Sequence, residues 1–398
     1  MVIAADVAEV DRVLTRAVET GAVPGVVALT ADDRGVRYEW AFGTRRVGGD
    51  AAMTPDTLFG IASMVKPLTA VAALQLVEEG RLALDEPVAG RVPEVGDLQV
   101  LDGFDDVGVP RLRPPRRAIT LRHLLTHTAG LAYPFWNEAL LRWQQHMGGP
   151  VPWERAPLVV DPGERWEYGT GINWVARLFE RVSGRSLEDQ FRGRILDPLG
   201  MADTGFVPGP DRVARLASRH QRLPDGSLRA LDTPTPERRA SYAGTGGIYT
   251  TGPDYLRFLR MLLGGGQLDG ARVLRPETVA ELARNQLGGL TVGPLRSLAL
   301  DTTNDVEFFP GMVKKWGLGG LINTERAPTG RSAGSWGWAG LHNTYFWVDP
   351  TRRVAGLLLT QLLPFCDEAV LDLYGRFEHA VYAPGGEGVS ATLKSASS

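Results

Sequence analysis

Cysteine is almost missing from the 398 residues: Cys366 stands alone, so the chain cannot close an internal disulfide, and the usage fits a reducing compartment. Lysine is nearly as scarce. Of the 43 Lys and Arg residues, only Lys66, Lys314, Lys315 and Lys394 are lysines. An excess of either charge is lacking as well: the net charge of −3 and pI near 6.1 argue against nucleic acid or an acidic membrane surface as partner. No apolar run approaches the ~20 residues that cross a bilayer, and residues 1–10 lack the basic start and apolar stretch of a secretory signal. The expected location is therefore the cytoplasm. What remains is an ordinary globular composition, with 43% hydrophobic and 22% charged residues. The length allows two domains, or one domain interrupted by another.

The periodicities favour the interrupted arrangement. Val7, Val10, Val13, Leu14, Ala17 and Val18 recur at helical spacing before Gly21. Two strands, Gly25–Thr30 and Val36–Phe42, then flank the turn Asp32-Asp33-Arg34-Gly35. Near the other end, strands Thr344–Val348 and Val354–Thr360 flank Asp349-Pro350-Thr351-Arg352, and a helix over Glu368–Tyr382 follows. Between these ends, 118–222 is mostly helical in pattern, most clearly over Trp174–Val182, and further helices are expected over Tyr255–Leu263 and Pro276–Asn285. The Asp-, Pro- and Arg-rich residues 95–117 read as a surface insertion, and the glycine-rich residues 287–333 carry no assignable pattern. The fold class is α/β of the α+β type: an antiparallel sheet flanked by terminal helices. Residues 1–58 and 243–385 form it, 59–242 make an inserted helical domain, and 386–398 are expected to be a disordered tail. An active site is expected at the junction of the two parts.

Ser63 and Lys66 carry the first chemical signal. They sit in the first turn of an expected helix that continues through Leu68 to Val77 and is too hydrophobic for a surface face. A spacing of three places both side chains on one helical face, about 5–6 Å apart at Cβ, beside the positive end of the helix. A serine hydroxyl needs a base to become a nucleophile. Burial can lower a lysine's pKa enough for that role, whereas arginine does not give up its proton. Tyr168, on the glycine-flanked turn Glu167-Tyr168-Gly169-Thr170-Gly171, is a candidate to exchange protons with Ser63; packing at a domain seam is the plainer reading.

Other motifs weigh less. Gly330-Arg331-Ser332-Ala333-Gly334 matches the Gly-x-Ser-x-Gly elbow but follows a Pro-Thr-Gly turn instead of a strand, which weakens Ser332 as a nucleophile. His123 and His127 have metal-ligand spacing without a third ligand nearby, so a structural role is preferred. Gly244-Thr245-Gly246-Gly247 reads as a turn before a strand. Tyr133, Phe135, Trp136, Trp143, Trp153, Trp166 and Trp174 read mainly as core, with a few as candidate walls of an apolar pocket.

Taken in order, these segments resemble the serine β-lactamase-like superfamily, which includes class C β-lactamases, DD-peptidases, family VIII carboxylesterases and related acyltransferases. Ile61-Ala62-Ser63-Met64-Val65-Lys66 matches its Ser-x-x-Lys motif, and Leu121 to Leu131 resembles a common structural signature. The region of Pro162-Gly163 and Tyr168 resembles its Tyr-x-Asn motif, and Trp338-Ala339-Gly340 its third motif. The resemblance covers residues 5–382. It implies Ser63 as nucleophile, Lys66 as its base or the group that tunes it, and Tyr168 as partner acid and base. It also implies an oxyanion hole from the backbone N–H groups of Ser63 and Leu341, and substrate contacts from Thr170, Trp338, Ala339, Gly340 and His342. No cofactor or metal is implied. Trp338 replaces the lysine, and Thr170 the asparagine, that many members carry. That shifts the expected substrates from β-lactams or D-amino peptides to small-molecule esters or thioesters. The leading expectation is a carboxylesterase, and the alternative a transacylase passing the acyl group to an alcohol or amine of a natural product.

Overall fold

The computed structural model describes residues 7–232, 236 and 242–383; the expected tail at 386–398 lies outside them. Five strands come from stretches where branched and aromatic residues alternate or run together, and two more are short. In chain order they are β1 (Gly25–Asp32), β2 (Val36–Gly43), β3 (Lys314–Trp316), β4 (Leu321–Asn323), β5 (Trp336–Gly340), β6 (Thr344–Asp349) and β7 (Val354–Leu359). They form one sheet in the order β3-β4-β5-β6-β7-β1-β2, antiparallel throughout. The helices that position the site are α1 (Val7–Glu19), α2 (Lys66–Glu78), α3 (Leu121–Leu125), α4 (Gly171–Ser183), α5 (Gly252–Leu263) and α6 (Glu368–Tyr382).

Both faces of the sheet are covered, and every residue of β1 is buried in consequence. Adjacent strand residues point to opposite faces. Phe346 of β6 meets Tyr255 of α5 at 5.6 Å between ring centroids, and its neighbour Trp347 meets Phe377 of α6 at 5.7 Å. Helices α1 and α6 pack on each other, and α5 lies across β1 and β7. Helix α2 has no polar face to turn outward: Lys66 through Leu76 are all buried, largely against α4.

The expected strands and terminal helices are present to within a residue or two. Two expectations need correction. The unassigned stretch 287–333 contains β3 and β4, each too short at three residues to show an alternating pattern. The helix from Pro276 ends at Ala283 rather than Asn285, because Arg284 turns extended at φ −80°, ψ 149°. Residues 95–117 hold an outlying hairpin, Val100–Phe104 with Pro110–Arg113, whose Val107 is 84% exposed.

Candidate active site

Ser63 does not lie in the first turn of α2, as its spacing to Lys66 had implied. It sits in a one-turn 3-10 helix, Ala62–Val65, that runs straight into α2, so Lys66 opens the α-helix. The entry to this turn is held tightly. Ala62 has a left-handed φ of +43°, which a residue with a Cβ keeps only where its surroundings enforce it. Ile61 N–H donates to Ile248 O at 3.1 Å, and the Tyr255 hydroxyl donates to Met64 O at 2.8 Å. At the end of β5, a Cβ on Gly340 would lie 2.2 Å from Ile61 O, so only glycine lets the strand press against the serine turn.

The Lys66 Nζ lies 2.6 Å from the Ser63 Oγ. Lys66 is 3% exposed, and burial pushes its pKa well below the usual lysine value. A neutral amine has a lone pair free to accept the serine proton. Tyr168 is buried against the same pair, within hydrogen-bonding reach of Ser63, and its ring centroid is 4.8 Å from Nζ. Burial pushes the Tyr168 phenol well above its usual value, so it keeps its proton, whereas burial favours the neutral form of Lys66. The Trp338 indole N–H donates to the Tyr168 oxygen at 2.8 Å. Close backbone approach fixes this segment too: a Cβ on Gly169 would lie 2.2 Å from Leu131 O. The arrangement offers a hydroxyl, an amine whose charged form burial disfavours and a protonated phenol in one connected set. Such a set is suited to acyl transfer through a covalent intermediate.

The other expected site residues lie on the strand, turn and helix entry next to this set. Ala339 and Gly340 lie on β5 with Trp338, and Leu341 and His342 begin the turn to β6. His342 Nδ1 is 3.4 Å from Gly60 O, and burial lowers its pKa to about 4, so it is neutral at ordinary pH. Thr170 precedes α4, and its buried hydroxyl has no hydrogen-bond partner among the described residues. Ser332 is not part of the group. It lies in the loop before β5, at the far end from Gly340, with its backbone N–H bonded to Asp349 at 2.9 Å. His123 caps α3, accepting Thr120 N–H at Nδ1 while the Thr120 hydroxyl accepts His123 N–H, both at 3.2 Å. Among the described residues no group of three or more His, Cys, Asp or Glu side chains converges as metal ligands would.

The aromatic residues divide. Tyr133 and Trp136 each lie 5.6 Å from the Tyr168 ring, and Phe135 stacks on Tyr133 at 5.1 Å. Trp143 belongs to a separate small apolar cluster, and Trp153 meets Trp174 edge-on at 4.9 Å, away from the site. Trp316 on β3, 4.6 Å from Trp338, was not expected. Nothing in the glycine-rich stretch around it signals a strand.

A half-buried serine beside a buried lysine under one end of an antiparallel sheet, faced by a tyrosine, is the architecture of the serine penicillin-recognising folds. The chain belongs to the Beta-lactamase family, whose family model matches residues 10–380. It is 33% identical to monacolin J acid methylbutanoyltransferase of Aspergillus terreus over 392 residues, 92% of this chain and 94% of that protein. It is 31% identical to lovastatin esterase of Penicillium rubens over 403 residues, covering 94% and 97%. The unliganded structure of simvastatin synthase (LovD) from Aspergillus terreus superposes with a TM-score of 0.83 at 32% identity, over 96% of this chain and 99% of that one.

Proposed function

We propose that the protein is a serine acyltransferase that takes an acyl group from a small-molecule ester or thioester onto Ser63 and passes it to an alcohol or amine. The observation that carries the reading is the 2.6 Å contact between Ser63 and a lysine whose charge burial disfavours. Ser63 Oγ attacks the carbonyl carbon as its proton moves to Lys66 Nζ. The oxyanion is held by the backbone N–H groups of Ser63 and Leu341. The bond to the leaving group breaks, and that group takes a proton from Lys66 or Tyr168, leaving an acyl-enzyme. The acceptor's O or N then attacks the acyl carbon as its proton moves to the same base, the bond to Ser63 Oγ breaks, and that base returns the proton to Oγ to restore the hydroxyl. Trp338 offers a neutral N–H where β-lactamases and DD-peptidases carry a cation, which argues for esters over β-lactams. Helices of the described residues are not long and apolar enough to cross a membrane, in keeping with a diffusible donor and acceptor.

The hydrolytic reading, with water as acceptor, takes second place. The methylbutanoyltransferase relative supports transfer, and the lovastatin esterase relative keeps hydrolysis in play. Intact-mass measurement after mixing with short-chain esters and thioesters, with and without an acceptor panel, separates the two. A Ser63 adduct that is discharged faster by an alcohol or amine than by water supports transfer. Discharge to water alone across the panel refutes it. In Ser63→Ala the adduct should disappear and kcat should fall by at least about 10⁴-fold, with the thermal transition kept.

A further inference from the structure

One buried side chain beside the site takes no part in the chemistry above. His127 is 3% exposed, lies past the end of α3 and adopts a left-handed φ of +56°. Its carbonyl accepts Glu167 N–H at 2.8 Å, and its ring Nδ1 accepts Gly169 N–H at 3.4 Å. The two bonds fall on either side of Tyr168. The ring itself lies 4.6 Å from the Tyr168 ring and meets Trp316 edge-on at 5.1 Å. Accepting at Nδ1 requires the tautomer protonated at Nε2, and Nε2 has no hydrogen-bond partner among the described residues. Nothing else therefore anchors this imidazole except the amide it accepts and the rings it touches. Burial holds the ring in its neutral form, the one that can accept a hydrogen bond.

The rest of the segment makes the clamp rigid. Thr128 O accepts Gly163 N–H at 2.6 Å and Gly130 O accepts Val159 N–H at 2.8 Å, so 127–130 runs as a rail beside 159–169. Trp316, on which the His127 ring rests, donates its own N–H to Leu125 O at 3.3 Å.

We propose that His127 is a positioning residue for Tyr168: by accepting the Gly169 amide from beneath the phenol, it sets where the Tyr168 oxygen stands relative to Ser63 and Lys66. The proposal rests on the reading that Tyr168 moves protons in the acyl-transfer reaction. A histidine packed there only as core filler makes different forecasts. Asparagine is the conservative replacement, since its side-chain oxygen offers an acceptor and it tolerates a left-handed φ better than most residues. Alanine removes the acceptor and the ring.

The test uses the full chain with a short-chain ester, and the variants His127→Asn and His127→Ala in the native and the Tyr168→Phe backgrounds. His127→Ala should lower kcat by about 10²-fold, the scale of a roughly 1 Å misplacement, with KM changed less than about threefold. His127→Asn should recover most of that loss. In the Tyr168→Phe background His127→Ala should cost little more, because groups acting through one another are not additive. Hydrogen exchange of the peptide spanning Glu167–Gly169 should speed up in His127→Ala and stay slow in His127→Asn. Unchanged exchange, an asparagine no better than alanine, or an equal penalty in both backgrounds overturns the proposal. If alanine does not fold, His127→Gln, with its acceptor one carbon further out, is measured in its place against asparagine. A Tyr168→Phe enzyme as fast as the native one would sink the role given to Tyr168, while the exchange measurement would still decide whether His127 clamps the segment.

Discussion

A lysine enclosed without a carboxylate beside it is a burden on folding, and among the described residues Lys66, next to Ser63, is such a lysine. Its folded pKa lies well below the usual 10.5 because burial penalises the charge. Between the lowered value and about 10.5 the unfolded chain binds a proton that the folded chain does not. This group's contribution to stability therefore rises with pH across that window and is least favourable below it. Lys66→Met, of similar length and without the amine, should remove that slope and raise stability near pH 7 by about 1–3 kcal/mol, the scale of an uncompensated buried polar group. Urea melts from pH 6 to 9 check both, and the variant should form no acyl-enzyme. A melt as steep in pH as that of the native protein would mean that Lys66 is not the titrating group. At this scale much of the site was legible: a lysine is conspicuous in a chain that otherwise uses arginine, and Tyr168 stands between glycines. Trp316 and His127 were not legible as neighbours of Tyr168. Their roles depend on a three-residue strand and on a backbone turn with positive φ, and neither leaves a periodic trace.

Among the elements, the serine turn shows where spacing stops being informative. Residues three apart share a face in an α-helix and eclipse in a 3-10 helix, so Ser63-x-x-Lys66 fits either, and the α-helix begins three residues later than the pattern implied. The long strands β1, β6 and β7 were readable because six to eight residues suffice for a pattern. What aligns the turn with the sheet is the contact between Gly340 and Ile61 O. Gly340→Ala should cost about 1–3 kcal/mol as an overpacked core does, and should slow acylation of Ser63 more than it weakens substrate binding. Denaturant melts paired with burst-phase kinetics test this. Native acylation at reduced stability would show that the contact serves the fold alone.

Across the whole molecule, most of the buried apolar residues form one continuous cluster from Val10 to Tyr382, through α2 and α4 as well as the sheet; only a small cluster around Leu140 and Trp143 stands apart among the described residues. We propose residues 59–242 as an inserted helical part that shares this core instead of owning one. Thermal unfolding should then give a single transition seen alike by far-UV and near-UV circular dichroism. Residues 59–242 expressed alone should show no cooperative melt, and a sharp transition from that fragment would make it an independent domain. The sheet carries one more consequence, in time. Asp32 of β1 pairs with Val354 of β7, near the opposite end of the chain. At synthesis rates of about 5–20 residues per second, the apolar run Val26-Val27-Ala28-Leu29 waits tens of seconds on the ribosome before its partner exists. With only β2 to pair with meanwhile, the yield of active enzyme depends on how well that strand is shielded during translation, and a slower, cooler expression or a holding chaperone acts at that interval.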